Sequence, residues 1–450
     1  MENKSSRIVG VAIPKPLETI FDYEVPTGMT MPGLGSRLRV PFGKGESIGI
    51  CVENKSISDA EQLREIIELL DEESLFSADL LDLALWMVKY YHHPIGETLF
   101  TTIPPDIRKG KPVKLDKPKC WTINSGNSPT NKAPKQKLLY DLIGQRPGIS
   151  SEEIRSAGYN LNTIQTLEKD GRIKAIEPIQ NETTQKSIDL NPEQKRALKA
   201  LNDREAGYEC FLLDGITGSG KTEVYLQAIE SVIKTGRQAL VLVPEISLTP
   251  QTYQRFSNRF PKTGLMHSGI SHHNNLQTWL KCKKGKIDCL VGTRSAVFTP
   301  FQNLGIIIVD EEHDSSYKQQ EGLKYSARDV AVKRASQKKI PIILGSATPS
   351  VESINNVQNG KYSLLTLRTK ADNTRLPSHQ IVDLCNGKVI DGFSSRTLAA
   401  ITEHLSKQNQ VMIFINKRGF ARTLFCTSCG WKANCIRCEA RTTVHTNPDL

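Results

Sequence analysis

The stretch at residues 212–222 constrains this chain more than any other. Apolar Leu212-Leu213 leads into Asp214-Gly215-Ile216-Thr217-Gly218-Ser219-Gly220-Lys221-Thr222, after which Val224, Leu226, Ala228, Ile229 and Val232 recur at helical spacing. A polyphosphate needs several unpaired backbone N–H groups converging on it. A glycine-rich turn feeding a helix N-terminus presents them without Cβ clashes. The order strand, turn, helix therefore predicts a nucleoside triphosphate site. Backbone from Gly215, Ile216, Thr217, Gly218, Ser219 and Gly220 cradles the phosphates, Lys221 reaches the β- and γ-phosphates, and the Thr222 hydroxyl holds Mg²⁺.

Such a loop needs an acidic partner at the end of a second buried strand, because Mg²⁺ bridging the phosphates must be oriented by a carboxylate. The run Leu304-Gly305-Ile306-Ile307-Ile308-Val309 has the unbroken apolar character of a parallel strand covered on both faces, and Asp310-Glu311-Glu312-His313-Asp314 begins where it ends. Asp310 is expected to orient the metal and Glu311 to polarise the attacking water. Two more short apolar runs, Ala239-Leu240-Val241-Leu242-Val243 and Pro341-Ile342-Ile343-Leu344, end in polar residues and fit the same sheet. The second ends in Gly345-Ser346-Ala347-Thr348, whose hydroxyls are expected to sense the nucleotide and couple hydrolysis to movement. Gln194, ahead of the phosphate loop, can offer an acceptor and donors to an adenine edge, which favours ATP. It can equally be a surface residue of a helix opened by Asn191-Pro192.

In this order, these motifs resemble the first lobe of a superfamily 2 helicase. The wording around them, with Val243-Pro244-Glu245-Ile246-Ser247-Leu248-Thr249-Pro250, Gly292-Thr293-Arg294-Ser295-Ala296-Val297-Phe298 and Lys318-Gln319-Gln320-Glu321-Gly322, resembles the PriA family of bacterial replication-restart helicases. The resemblance implies a RecA-like lobe and DNA-stimulated ATPase driving 3′-to-5′ unwinding at stalled forks and D-loops. It also implies single-stranded DNA, single-strand DNA-binding protein and other primosome or helicase-loading proteins as partners. A non-catalytic fork-binding scaffold with a nucleotide switch, or a different superfamily 2 translocase or RNA helicase, remains an alternative at this point.

The 450 residues suggest about three units, and the formal charge of +11, spread along the chain, favours a polyanionic partner over a membrane. With no run of eighteen apolar residues and no secretory core after the first residues, a cytoplasmic, nucleoid-associated protein is expected, its ten cysteines reduced or metal-bound. The fold class is α/β, with a RecA-like P-loop lobe preceded by a β-rich DNA-binding domain and a winged-helix-like domain. The start of a second lobe with a zinc insertion follows.

Residues 1–110 read as the β-rich unit, with a helical pattern at Leu80, Leu83, Ala84, Met87 and Val88. The paired His92 and His93 are taken as structural, because adjacent helix positions do not face one another. Phe21-Asp22-Tyr23, Arg39-Val40-Pro41-Phe42-Gly43 and Tyr90-Tyr91-His92-His93-Pro94-Ile95-Gly96 resemble the family's domain for capturing a 3′ DNA end. By that resemblance Phe21, Asp22, Gly43 and Arg64 line the pocket, with arginine where the family would place lysine. Residues 111–132, rich in lysine, proline, serine and asparagine, read as a linker. Residues 133–185 read as three short helices and a terminal strand, with Ser150 and Glu153 forming a capping box.

Residues 186–372 are assigned to the first helicase lobe. Thr293 and Arg294 are expected to grip a single-strand phosphate backbone, while Tyr317, Lys318 and Lys324 relay DNA contact to the hydrolytic water. Residues 373–450 are expected to begin a second lobe, with a strand over residues 410–416. Cys426/Cys429 and Cys435/Cys438 form two C-x2-C knuckles, a zinc signal whose five-residue gap is short for one four-cysteine site. The family pattern implies four such pairs sharing two Zn²⁺ ions, so these would be half of the ligands. Lacking those further pairs and the second-lobe arginines, the isolated chain is expected to bind ATP and DNA but to unwind poorly.

Overall fold

Short β-branched runs punctuated by glycine and proline fold the N-terminal stretch into one sheet. Its strands are β1 (Ile8–Ala12), β2 (Phe21–Glu24), β3 (Arg37–Phe42), β4 (Gly45–Lys55), β5 (Arg64–Glu65) and β6 (Glu68–Leu69). Their order is β5-β2-β1-β4-β3-β6, antiparallel except for the β2–β5 pair. This computed structural model describes residues 7–116, 120–124, 129, 133–176, 188–204, 207–245, 250–371, 378–384, 389–390, 392–414, 429, 431–436 and 438. The chain divides into two units, Met1–Arg375 and Leu376–Leu450.

Three helices follow the sheet: α1 (Ala78–Tyr91), α2 (Ile95–Thr101) and α3 (Pro105–Arg108). His92 ends α1 in the left-handed conformation at φ 49°, and His93 lies 3.2 Å from Glu97 one turn on, so both histidines serve helix structure. These helices do not complete a self-contained β-rich unit. Leu80, Leu83, Met87, Leu99 and Ile107 join Leu240, Ile307, Val330 and Leu344 in one continuous core, and only the sheet keeps a separate core around Val9, Tyr23, Leu38 and Val40. Tyr91 Oη accepts from Ser326 N at 3.2 Å across that junction. Sequence periodicity identifies an apolar helix face but not the element that covers it.

The stretch expected as a linker contains β7 (Cys120–Ile123), which precedes α4 (Pro134–Gln145), β8 (Ile149–Ser150), α5 (Ser151–Ser156), α6 (Leu161–Lys169) and β9 (Ile173–Ile176). The three strands form an antiparallel sheet ordered β8-β7-β9. Trp121, 2 % exposed, packs with Leu139, Ile143, Ile154 and Leu167. A polar, proline-bearing surround hid this short apolar pair. The capping box forms, with Ser150 N donating to Glu153 Oε2 at 2.8 Å and Glu153 N to Ser150 Oγ at 3.2 Å.

The large sheet is built from α7 (Pro192–Asp203), β10 (Cys210–Gly215), α8 (Lys221–Ile233), β11 (Gln238–Leu242), α9 (Pro250–Arg259), β12 (Thr263–Met266), α10 (His272–Lys283), β13 (Cys289–Gly292), β14 (Leu304–Val309), α11 (Ala327–Lys338), β15 (Ile342–Ser346), α12 (Val351–Gln358) and β16 (Ser363–Leu367). Seven strands run parallel in the order β12-β13-β11-β14-β15-β10-β16. Strands β11, β14 and β15 have no exposed residue, as expected of a sheet covered on both faces. The four runs singled out in the sequence are adjacent strands, so their carboxyl ends lie side by side.

The second unit, among its described residues, holds the hairpin β17 (Val389–Ile390) and β18 (Phe393–Ser394) and the helix α13 (Ser395–Ser406), which buries no side chain. The described part of the expected strand, residues 410–414, is not a strand, and Met412 and Phe414 are 91 % and 82 % exposed. A strand persists only where a neighbour takes its backbone hydrogen bonds, and no described segment does so here.

Candidate nucleotide and nucleic-acid sites

The turn after β10 takes its shape from two glycines, Gly218 at φ 80° and Gly220 at φ 81°, conformations that side chains rarely adopt. It opens onto a cleft of 740 Å³ lined by the loop, Gln194, Arg255, Asp310 and Glu311 among others. The end of β16 and the residues after it strap the loop in place. Ile216 N donates to Leu367 O at 3.1 Å and Ala371 N to Gly218 O at 2.9 Å. Lys221 is the first residue of α8, and its ammonium donates to Gly215 O at 2.8 Å and lies 3.8 Å from Glu311 Oε1.

Strand β14 delivers the acidic motif to the other side of the cleft, with β15 between it and β10. Glu311 sits at φ 45°, a left-handed conformation that costs a non-glycine residue energy. It is over-determined by its neighbours: Asp310 N donates to Leu242 O at 2.9 Å and Glu312 N to Gly345 O at 3.0 Å. Burial, reinforced by the Glu311 charge, pushes the Asp310 carboxyl up, against the hydrogen bond from Tyr225 and the charge of Lys221. Tyr225 Oη lies 3.0 Å from Asp310 Oδ1.

The Gly345-Ser346-Ala347-Thr348 run meets this motif directly. Ser346 Oγ accepts from Thr348 N at 2.9 Å and lies 2.7 Å from His313 Nδ1, while Thr348 Oγ1 lies 3.4 Å from His313 Nε2. Any shift at the end of β15 is thereby felt two residues from the acidic pair.

Sequence reasoning passed over four contributors: Tyr225, Arg255, Glu312 and Arg328. Glu312 is 1 % exposed and accepts from Ser350 N at 2.7 Å, Ser353 Oγ at 2.9 Å and Arg328 Nη1 at 3.0 Å, tying the acidic motif to α11 and α12. A third carboxylate directly after the acidic pair was the available signal. Tyr225 was visible only as the residue four positions after Lys221.

Gln194 is 4 % exposed, its Oε1 accepts from Asn191 N at 2.9 Å and its Nε2 donates to Ser219 O at 2.9 Å. One end of the amide closes a capping box and the other braces the loop, and the residue lines the cleft.

Among the nucleic-acid candidates, Arg294, Tyr317, Lys318 and Lys324 gather around one loop. Arg294 Nη1 donates to Ser316 O at 3.1 Å, and Lys318 Nζ donates to Lys324 O at 2.7 Å. Two residues are corrected. Tyr317 is 2 % exposed, its hydroxyl 2.6 Å from Asp310 O and 3.0 Å from Leu242 O, and Thr293 is 3 % exposed. Neither side chain meets solvent: Thr293 precedes the 3-10 helix Arg294–Phe298, and Tyr317 ends the 3-10 helix Ser315–Tyr317 with its hydroxyl turned onto the two carbonyls. Lys318 and Lys324 are exposed.

In the N-terminal sheet Phe21 stacks edge-on against Phe42 at 5.3 Å, and Arg64 Nη1 donates to Gly43 O at 3.2 Å, so Phe21, Gly43 and Arg64 cluster at the β3–β4 turn. Strand alternation turns Asp22 to the other face. There its carboxylate accepts from Lys55 Nζ at 2.9 Å and Ser58 Oγ at 2.6 Å. Burial pushes the Asp22 carboxyl up, but the bonds from Ser58 and Lys55 outweigh it and hold it below the usual range.

Cys426 lies outside the described residues. Cys429, Cys435 and Cys438 are exposed. No group of three or more metal-ligating side chains gathers among the described residues, and no described helix is long and apolar enough to cross a membrane.

Two regions of the chain match known families. Residues 10–104 match the 3′DNA-binding domain (3′BD) of PriA, and residues 191–357 match the DEAD/DEAH box helicase family. The replication restart protein PriA of Haemophilus influenzae is 38 % identical over 99 % of this chain and 63 % of its own length. That of Bacillus subtilis is 32 % identical over 96 % of this chain and 64 % of its own. The chain thus spans less than two thirds of these relatives. The structure of RecG bound to a three-way DNA junction is 26 % identical over 40 % of the chain, with a TM-score of 0.31.

Proposed function

We propose, from the premise that this chain belongs to the PriA family of superfamily 2 helicases, that it is the nucleotide- and DNA-engaging portion of a 3′-to-5′ DNA helicase for replication restart. The observation that carries this is convergence: Lys221 and Glu311, 90 positions apart in the chain, meet at 3.8 Å across β15. The buried carboxylate of Asp310, the glycine-shaped loop and the Thr222 hydroxyl are a donor set that fits magnesium and a polyphosphate. Bound MgATP supplies the transferable γ-phosphoryl group. Lys221 would release Gly215 O to meet the phosphates, Asp310 and Thr222 would hold the metal, and Glu311 would accept the proton of the water that attacks the γ-phosphorus as ADP leaves.

On this reading Phe21 stacks on the terminal base of a 3′ end, and the nucleotide straddles the edge of β2, where β5 pairs only Tyr23 and Glu24 among the described residues, so that on the other face Asp22 exchanges Ser58 for its 3′-hydroxyl while repelling a continuing strand's phosphate. Arg294, Lys318 and Lys324 meet the phosphate backbone beside the hydrolytic motif. Forks and D-loops as substrates and primosome proteins as partners follow from family membership. So do a winged-helix role for residues 120–176, zinc on the cysteine pairs, which the sequence spacing supports, and a cytoplasmic site of action.

The test is phosphate release by the purified chain with and without forked DNA, alongside binding of a fluorescent ATP analogue. Glu311→Gln should bind nucleotide and fail to turn it over. Equal stimulation by RNA, or no nucleotide binding by the unmodified chain, would overturn the reading.

A further inference from the structure

Lys221 and Tyr225 are four residues apart on α8, so one helix face presents both toward the strand ends. Lys221 has its role in the phosphate site, whereas Tyr225 reaches the carboxylate opposite. Its side chain is 1 % exposed, and its hydroxyl lies 3.0 Å from Asp310 Oδ1. A second, independent feature makes room for that hydroxyl. A Cβ at Gly345 would lie 1.6 Å from Tyr225 Oη and 2.8 Å from its Cζ, both impossible contacts. Glycine stands at the end of β15 where the tyrosine must pass.

The backbone of Asp310 is held separately, its N–H by Leu242 O at 2.9 Å and its carbonyl by Tyr317 Oη at 2.6 Å. These bonds set where the residue sits but leave its side-chain torsion free. The Tyr225 hydroxyl restrains that torsion from the side-chain direction, together with the backbone N–H of Glu311. Its chemistry also suits a metal site, because a neutral donor orients a carboxylate without bringing a positive charge that would compete with a divalent cation, as a lysine would.

We infer that Tyr225 is a positioning residue of the metal–nucleotide site, its hydroxyl fixing the Asp310 carboxylate in the orientation that meets Mg²⁺, and that Gly345 is glycine in order to admit it. This rests on the nucleotide site proposed above. It gives Gly345 a steric role beside the hydroxyls of Ser346 and Thr348. It also predicts that displacement at the end of β15 reaches Asp310 through the tyrosine ring as well as through His313.

Tyr225→Phe removes one oxygen and keeps the ring. With a fluorescent ATP analogue, its affinity in Mg²⁺ should fall by about tenfold, while affinity in EDTA changes by less than about twofold and the melting temperature of the nucleotide-free chain by no more than about 4 °C. Gly345→Ala, which pushes the ring instead of shortening it, should give the same Mg²⁺-selective loss and serves alone if the first variant does not fold. Unchanged affinity in Mg²⁺, or equal losses in Mg²⁺ and EDTA, would overturn the inference. An unmodified chain whose binding is indifferent to Mg²⁺ would instead overturn the nucleotide site itself.

Discussion

In the nucleotide cleft, the residues proposed to act leave the carboxyl ends of neighbouring parallel strands, so β14, β15 and β10 deliver Asp310, Ser346 and Lys221 to one place. In the N-terminal sheet the proposed DNA-end residues lie along strands and turns. Phe21 and Asp22 are adjacent on β2 and so point to opposite faces. The cleft is cross-braced by hydrogen bonds of the buried residues Tyr225, Tyr317 and Glu312, whereas Gly43 and Arg64 are exposed. One site is pre-organised by the fold. The other must complete itself around its ligand, by Asp22 giving up Ser58.

Four experiments would break or sharpen that contrast. Glu311→Gln should lower ATP turnover by about a thousandfold, roughly what one aligned catalytic group supplies, and leave 3′-end binding intact; loss of both, in phosphate-release and anisotropy assays, would mean the two regions are not separable. Asp71→Ala should cost about 3–5 kcal/mol in urea unfolding, because it strands the buried Arg37, whose guanidinium contacts Asp71 at 2.8 Å and also holds the carbonyls of Ile107 and Lys111. Since α1–α3 share a core with the large sheet, that unfolding should remain one transition; two transitions would show that the N-terminal part melts alone.

Phe21→Ala should weaken binding of a 3′-terminated oligonucleotide by about 1–3 kcal/mol and leave a 3′-phosphorylated one unchanged, with nucleotide affinity unaltered. The smallest effect concerns Asp22, whose folded carboxyl lies below its ordinary value, so its stabilisation is present above the unfolded pKa and lost as pH falls through the folded one. Asp22→Asn should therefore melt slightly below the unmodified chain at pH 7, and the gap should close under acid. A gap that widens on acidification would mean that Lys55 and Ser58 do not hold the carboxylate.

Much of the cleft could be read in advance, because glycine at positions 218 and 220, and carboxylates after an unbroken apolar run, each leave a local signature. Glu312 was less visible, since a buried carboxylate is recognised only once Ser350, Ser353 and Arg328 have been folded onto it. The burial of Tyr317 and Thr293 was invisible for the same reason: an aromatic or hydroxyl residue in a polar stretch reads as exposed until its turn is built. Lysine and proline around Cys120 and Trp121 concealed a strand whose partners lie some 30 and 55 residues downstream.

What this sequence determined by itself was the set of strand ends and the phosphate turn, because strand periodicity and glycine conformation are properties of a few consecutive residues. Only the tertiary structure decided that α1–α3 belong to the core of the large sheet, that Gln194 braces the loop, and that Gly345 makes room for Tyr225. Those facts are contacts between residues distant in the chain, and their energies exist only after the segments have been brought together.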